Sequence, residues 1–147
     1  MTLRRADHDL AADAMRALDR IREACGQKVS PQVLTRLRAL PTMLRASGVL
    51  ATLAFYAAKR GEKKELEKAY DIVGAELRAQ ICAVLGWQET GRPSLSLDFL
   101  TRLTDHLRAK PASLGMLSVR LEEFSGWLSR LAEALEREQD REGSDAS

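Results

Sequence analysis

From Leu114 onward, apolar residues fall at alternating steps of three and four: Leu114, Leu117, Leu121, Phe124, Leu128, Leu131 and Leu135. That spacing lays one stripe along a helix and suits packing in a bundle or coiled coil. A core helix within the same chain accounts for it without a second copy, and Trp127 sits beside the stripe and widens it. After Glu138 the pattern stops. Residues 1–138 therefore read as one helical domain, and Gln139 to Ser147 as a polar, disordered tail.

The same periodicity recurs upstream. Leu10, Ala14, Leu18, Ile21 and Cys25 predict a first helix from Thr2, its cap, to about Cys25, stopped by Gly26. Ser30-Pro31 reads as a cap followed by a proline in the first turn, where its missing N–H costs nothing. Val33, Leu34, Leu37 and Leu40 form the stripe of this second helix. Pro41 should kink or break it, with helix resuming through Met43 and Leu44 until Ser47-Gly48. A third helix covers about Val49 to Lys59, with Leu50, Leu53, Ala54, Ala57 and Ala58 on one side. A fourth runs from about Glu62 to Leu85, its face built from Leu66, Ala69, Tyr70, Val73, Leu77, Ile81 and Val84. Gly86 to Ser94 is a loop broken by Gly86, Gly91 and Pro93. Ser96 caps a fifth helix, which carries Leu97, Leu100, Leu103 and Leu107 and ends at Lys110-Pro111. The prediction is all-α: a compact single-domain bundle of about six helices. The helix-forming composition agrees, with 45% hydrophobic, 30% charged and only 5% aromatic residues in 147.

Charge changes the picture through its distribution. The net +2 divides into +6 over residues 1–60 (11 Lys/Arg against 5 Asp/Glu), zero over 61–110 (8 against 8) and −4 over 111–147 (4 against 8). No acid lies between Glu23 and Glu62, where Lys28, Arg36, Arg38, Arg45, Lys59 and Arg60 all fall. Such a segment is either an ordinary solvated basic face or a footprint for a polyanion.

Chemistry is sparse. His8 and His106 are the only histidines, and Cys25 and Cys82 are isolated in helical apolar patterns. They read as buried free thiols of a reducing cytoplasm, and no zinc-ligand spacing or other metal cluster exists. His8-Asp9 lacks the further histidines a metal phosphohydrolase needs. Asp105-His106 are neighbours whose side chains point apart on a helix. No glycine cluster precedes a Lys-Ser or Lys-Thr pair, so no phosphate-cradling loop is expected. The carboxylates, with partners such as Glu62–Lys63 and Glu65–Lys68, read as surface electrostatics. An enzyme and a resident cofactor are not expected. No apolar stretch is long enough to span a membrane, and Met1 to Leu10 lacks a signal-peptide core. Phe55, Tyr56 and Tyr70 belong to apolar faces, and Trp87 and Trp127 are candidates for exposure. Any nucleic acid would be held mainly by phosphate contact.

Leu34 to Lys59 resembles the signature of the small subunit of Cmr complexes, the type III-B CRISPR RNA-targeting effectors. That family shows Leu-Pro, an apolar pair, an Asn-Gly-Leu-type break and a Thr-Leu-Ala-Phe helix ending in Lys. Here these fall on Leu40-Pro41, Met43-Leu44, Gly48-Val49-Leu50, Thr52-Leu53-Ala54-Phe55 and Lys59. The family's terminal Trp-Leu-Lys-Arg-Phe-Ala run is similar to Trp127-Leu128-Ser129-Arg130-Leu131-Ala132. Ser47 replaces the usual Asn, Ser129 a Lys, and Leu114 a common aromatic.

The resemblance implies a compact, non-catalytic bundle stacked in several copies as an inner filament. It would lie beside the backbone subunit and lead toward the large subunit, with crRNA and target RNA in the groove between filaments. Arg38, Arg45, Lys59 and Arg60, with Lys63 and Arg130 added, are the expected RNA-facing cations. Two other functions compete: a helical adaptor without RNA binding, and the small subunit of the related type III-A complex. Only the first of these predicts no affinity for RNA at low salt.

Overall fold

The computed structural model describes the backbone of residues 2–146 and the side chains of residues 7–144. The cap expected at Thr2 and the last three residues of the expected tail lie outside the described side chains. Six helices follow one another: α1 Thr2–Ala24, α2 Pro31–Ser47, α3 Val49–Lys59, α4 Glu65–Leu85, α5 Leu97–Ala109 and α6 Ser113–Ala146. No strand occurs among the described residues, and the fold is an all-α single domain. No helix among them is long and apolar enough to cross a membrane.

Local chemistry sets most boundaries. Ser30 Oγ accepts the Val33 N–H at 3.4 Å, with Pro31 opening the helix. Ser96 caps α5 in the same way, its Oγ accepting the Phe99 N–H at 3.2 Å. Gly48 is the whole connection between α2 and α3. At φ +87° it donates its N–H to the Leu44 carbonyl and offers its own carbonyl to the Thr52 N–H, a conformation that favours glycine. The α4 start falls at Glu65, later than expected, because the Glu67 carboxylate accepts the N–H groups of Lys63 and Lys64 and holds them in the entry turn.

Pro41 does not interrupt α2. It removes one ladder bond, but Leu37, Leu40 and Leu44 on both sides of it are buried and anchor both halves in the core. On α3 the buried face is Val49, Thr52, Leu53 and Tyr56, while Ala54 and Ala58 are exposed. The larger apolar area of the Tyr56 ring outweighs the alanines in choosing the face.

α6 is the central post. Leu117, Leu121, Phe124, Leu128, Ala132 and Leu135 are buried on it, against α1, α2, α4 and α3. Leu114 is 43% exposed and Leu131 only partly buried, because a 3.6-residue turn drifts against the heptad count and rotates Ala132 inward. α2 runs antiparallel to α6, with Val29 opposite Gln139 and Arg38 opposite Glu136 and Ser129. α1 runs parallel to it. The Trp127 indole N–H donates to Asp7 near one end, and Arg22 and Gly26 share a cleft with Glu138 and Glu142 near the other. The polar segment expected to be a disordered tail instead continues α6 to Ala146. Gln139 fixes it there: its amide accepts the Val29 N–H and donates to the Val29 carbonyl, both at 2.9 Å.

Candidate nucleic-acid interface

The acid-free segment folds into the adjoining helices α2 and α3, with Arg36 close enough to Tyr56 to act on its phenol. Burial, then the neighbouring Tyr70, pushes that phenol up, and Arg36 opposes them. Phe55, Tyr56 and Tyr70 pack edge to face, with ring centres 4.9–6.2 Å apart. Tyr56 and Tyr70 are buried, and Phe55 is half-buried against them.

The six candidate cations fall into three groups. Arg38 and Arg45 lie two turns apart on one side of α2, about 10 Å along its axis. Arg38 Nη1 is paired with Glu136 Oε1 at 2.7 Å, whereas Arg45 is exposed. Lys59, Arg60 and Lys63 gather at the α3–α4 connection. Lys59 Nζ stands 5.7 Å from the centre of the Phe55 ring, and Arg60 Nη1 is 3.9 Å from Asp71 Oδ1. Arg130 lies on the α1-facing flank of α6, its guanidinium 5.3 Å from the centre of the Trp127 ring. Among the described residues Arg45, Lys59, Lys63 and Arg130 form no ion pair.

Elsewhere, Cys82 is buried and Cys25 half-buried, both as free thiols. The His106 ring meets the Ser113 hydroxyl at 3.3 Å, while Asp105 is exposed and turned away. Among the described residues no group of three or more His, Cys, Asp or Glu is placed to hold a metal. The α4–α5 connection is stapled down by Arg78. Its guanidinium grips Glu89 in two hydrogen bonds of 2.9 and 2.6 Å and donates to the Ser94 carbonyl at 2.6 Å. That grip holds the Glu89 carboxyl below its usual range. Trp87 in this loop carries the Arg102 guanidinium 3.8 Å from its ring centre.

A family model described as CRISPR-associated protein (Cas_Cmr5) matches residues 7–135. The chain belongs to the Cas_Cmr5 family. No curated protein and no solved structure gives a significant match. As a Cas_Cmr5 protein it is a small subunit of a CRISPR-associated Cmr complex and associates with other subunits of that complex. The match ends at Leu135, so Glu136 and Gln139, which tie α6 to α2 and to the α1–α2 turn, lie beyond the Cas_Cmr5 region.

One cluster escaped the sequence. Glu76 on α4 is fully buried, and is no surface carboxylate. Arg16 Nη2 and Arg92 Nη1 approach its Oε1 at 3.4 and 3.5 Å, and Arg20 Nη1 approaches Oε2 at 3.4 Å. Arg16 also pairs with Asp13 at 2.8 Å. Asp13 accepts from Gln80 at 2.6 Å, and Gln80 accepts from Arg120 at 2.6 Å. The partners lie up to 67 residues from one another along the chain in these contacts, so no local motif announces them. The available signal was Glu76 and Gln80, a polar i,i+4 pair interleaved with the apolar residues of α4.

Proposed function

We propose that this Cas_Cmr5 protein is a non-catalytic scaffold subunit of a cytoplasmic type III-B effector. Copies stack into an inner filament beside the backbone subunit and toward the large subunit. Their cations follow the phosphates of crRNA and target RNA, and bond-breaking belongs to other subunits. Arg38, Arg45, Lys59, Arg60, Lys63 and Arg130 are the contact set. Arg45, Lys59, Lys63 and Arg130 contribute most, because their charge is not offset by a carboxylate. The observation that carries this reading is the acid-free α2–α3 pair with exposed Arg45 and Lys59, in a chain matched to a Cmr family over residues 7–135.

The test is charge reversal at Arg45 and Lys63 in the assembled complex. Single strands lose about 0.7 in the slope of log affinity against log salt for each phosphate contact removed. The Arg45→Glu/Lys63→Glu complex should therefore retain RNA less well and show a slope flatter by about 1.4. An unchanged slope removes both residues from the footprint.

A further inference from the structure

The arginines around Glu76 exceed what a buried carboxylate requires. One cation neutralises one carboxylate, yet three guanidinium groups converge on Glu76 from α1 and from the α4–α5 connection. Asp13 offsets a second charge. Arg120, joined through Gln80, restores the surplus, so the cluster holds four cations against two anions. Like charges gathered this closely repel one another, and an additional anion would relieve the repulsion.

The geometry of the pairs agrees. Arg78–Glu89 and Arg38–Glu136 close to 2.6 and 2.7 Å, whereas the three contacts to Glu76 stay at 3.4–3.5 Å and are one-pronged. Each guanidinium has five N–H donors in a fork that fits phosphate oxygens, and most of those donors are uncommitted. The three side chains are 42%, 39% and 37% exposed, so the forks reach solvent while their common anchor does not. Arg92 also lines a groove of about 750 Å³ that runs past Gly91 and Thr90 to Trp87. The groove, whose wall also carries Glu89 in its pair with Arg78, leaves room beside Arg92 for the sugar and base attached to a phosphate.

We propose that Arg16, Arg20 and Arg92 form a second phosphate site, held in register by Glu76, that receives the backbone of single-stranded RNA. The inference rests on the reading that the protein meets RNA, but it assigns contact to a surface other than the α2–α3 pair. Glu76 acts here as a positioning residue and touches no ligand.

The test uses the full chain and a short labelled oligoribouridylate, followed by fluorescence anisotropy across a salt series. Arg92→Gln leaves Glu76 with two arginines and should keep the fold, which thermal melting checks. It should weaken binding about three- to tenfold and flatten the salt slope by about 0.7. Should Arg92→Gln melt early, wild-type protein treated with phenylglyoxal supplies the second readout. RNA should protect Arg92 and Arg20 from modification, and equal modification with and without RNA overturns the proposal. An Arg45→Gln/Lys63→Gln variant separates the two surfaces. If it binds weakly while Arg92→Gln binds as wild type, the second site falls and the α2–α3 reading stands. If only Arg92→Gln weakens binding, the reverse holds, and if neither does, both fall. Inorganic phosphate at matched ionic strength should leave the oligoribouridylate bound; displacement by millimolar phosphate would make this a free-phosphate site and overturn the RNA assignment.

Discussion

Replacing Gln139 with alanine tests whether the end of α6 is a docked part of the fold. The Gln139 amide makes two hydrogen bonds to the backbone of Val29, as acceptor and as donor, each 2.9 Å long. Val29 is 1% exposed, so the substitution leaves an N–H and a carbonyl without their partner. A net hydrogen bond contributes about 1 kcal/mol, and a buried group left unpaired costs 1–3 kcal/mol. Clefts on either side of Gln139 admit water to the site and favour the lower end, about 2 kcal/mol in total. A chain of this size loses roughly 3 °C in Tm per kcal/mol, so Gln139→Ala should melt about 6 °C lower. Gln139→Glu keeps the acceptor for the N–H but turns a carboxylate oxygen toward the Val29 carbonyl, and should lose at least half as much. Circular dichroism melts give the shift, and hydrogen exchange at the Val29 amide reports the local bond. A Tm change below about 1 °C with unchanged exchange at Val29 would refute the docked helix end.

Three further outcomes follow from the packing. Phe124→Ala, at a fully buried ring on the central helix, should cost about 3–5 kcal/mol in urea unfolding; a loss under 1 kcal/mol would place Phe124 outside the core. Burial, with help from the hydrogen bond to Glu89, pushes the Cys82 thiol up to about 11 from 9.0. The stability gained from the neutral thiol is thus complete below pH 9 and lost as pH climbs toward 11, and iodoacetamide at pH 8 should label half-buried Cys25 before Cys82. Equal labelling rates would contradict this. Glu89 is depressed chiefly by its hydrogen bonds from Arg78, so its stabilisation is present above the ordinary carboxylate range near 4.5 and fades as pH falls through the native value. Glu89→Gln should lower stability at pH 7 by about 1.5–3 kcal/mol, and the loss should shrink as pH falls through the native value; a loss that does not change with pH would deny the ion pair.

The helices were legible because their signals are local. Ser30-Pro31, Gly48, Gly86 and Ser96 mark boundaries through their own backbone and side-chain chemistry, and all four stand at helix ends. The leucine stripe on α6 was legible for the same reason, except where helical drift put Ala132 in place of Leu131. Pro41 and the C-terminal segment misled because tertiary contacts decide them. Buried leucines keep α2 continuous across the proline, and Gln139 reaches a backbone 110 residues away. The cations of the α2–α3 pair were visible as an absence of acid, but Glu136 and Asp71, which offset Arg38 and Arg60, come from helices remote in sequence. The arginine cluster on Glu76 was invisible on the same ground: its partners meet only after α1 and α4 pack.

α6, which covers the stripes of α1 and α2, is made after every helix it packs against. While α6 is still within the ribosome, the apolar stripes of α1 and α2 lack the surface that covers them, and the contacts joining Asp7 to Trp127 and Val29 to Gln139 span over 100 residues. Such non-local closure is slow relative to local helix formation. Until α6 emerges the nascent chain therefore waits half-covered, open to aggregation or to capture by a holding chaperone. A stop before Phe124 would thus spoil the whole domain, because most of the buried stripe of α6 is lost with it.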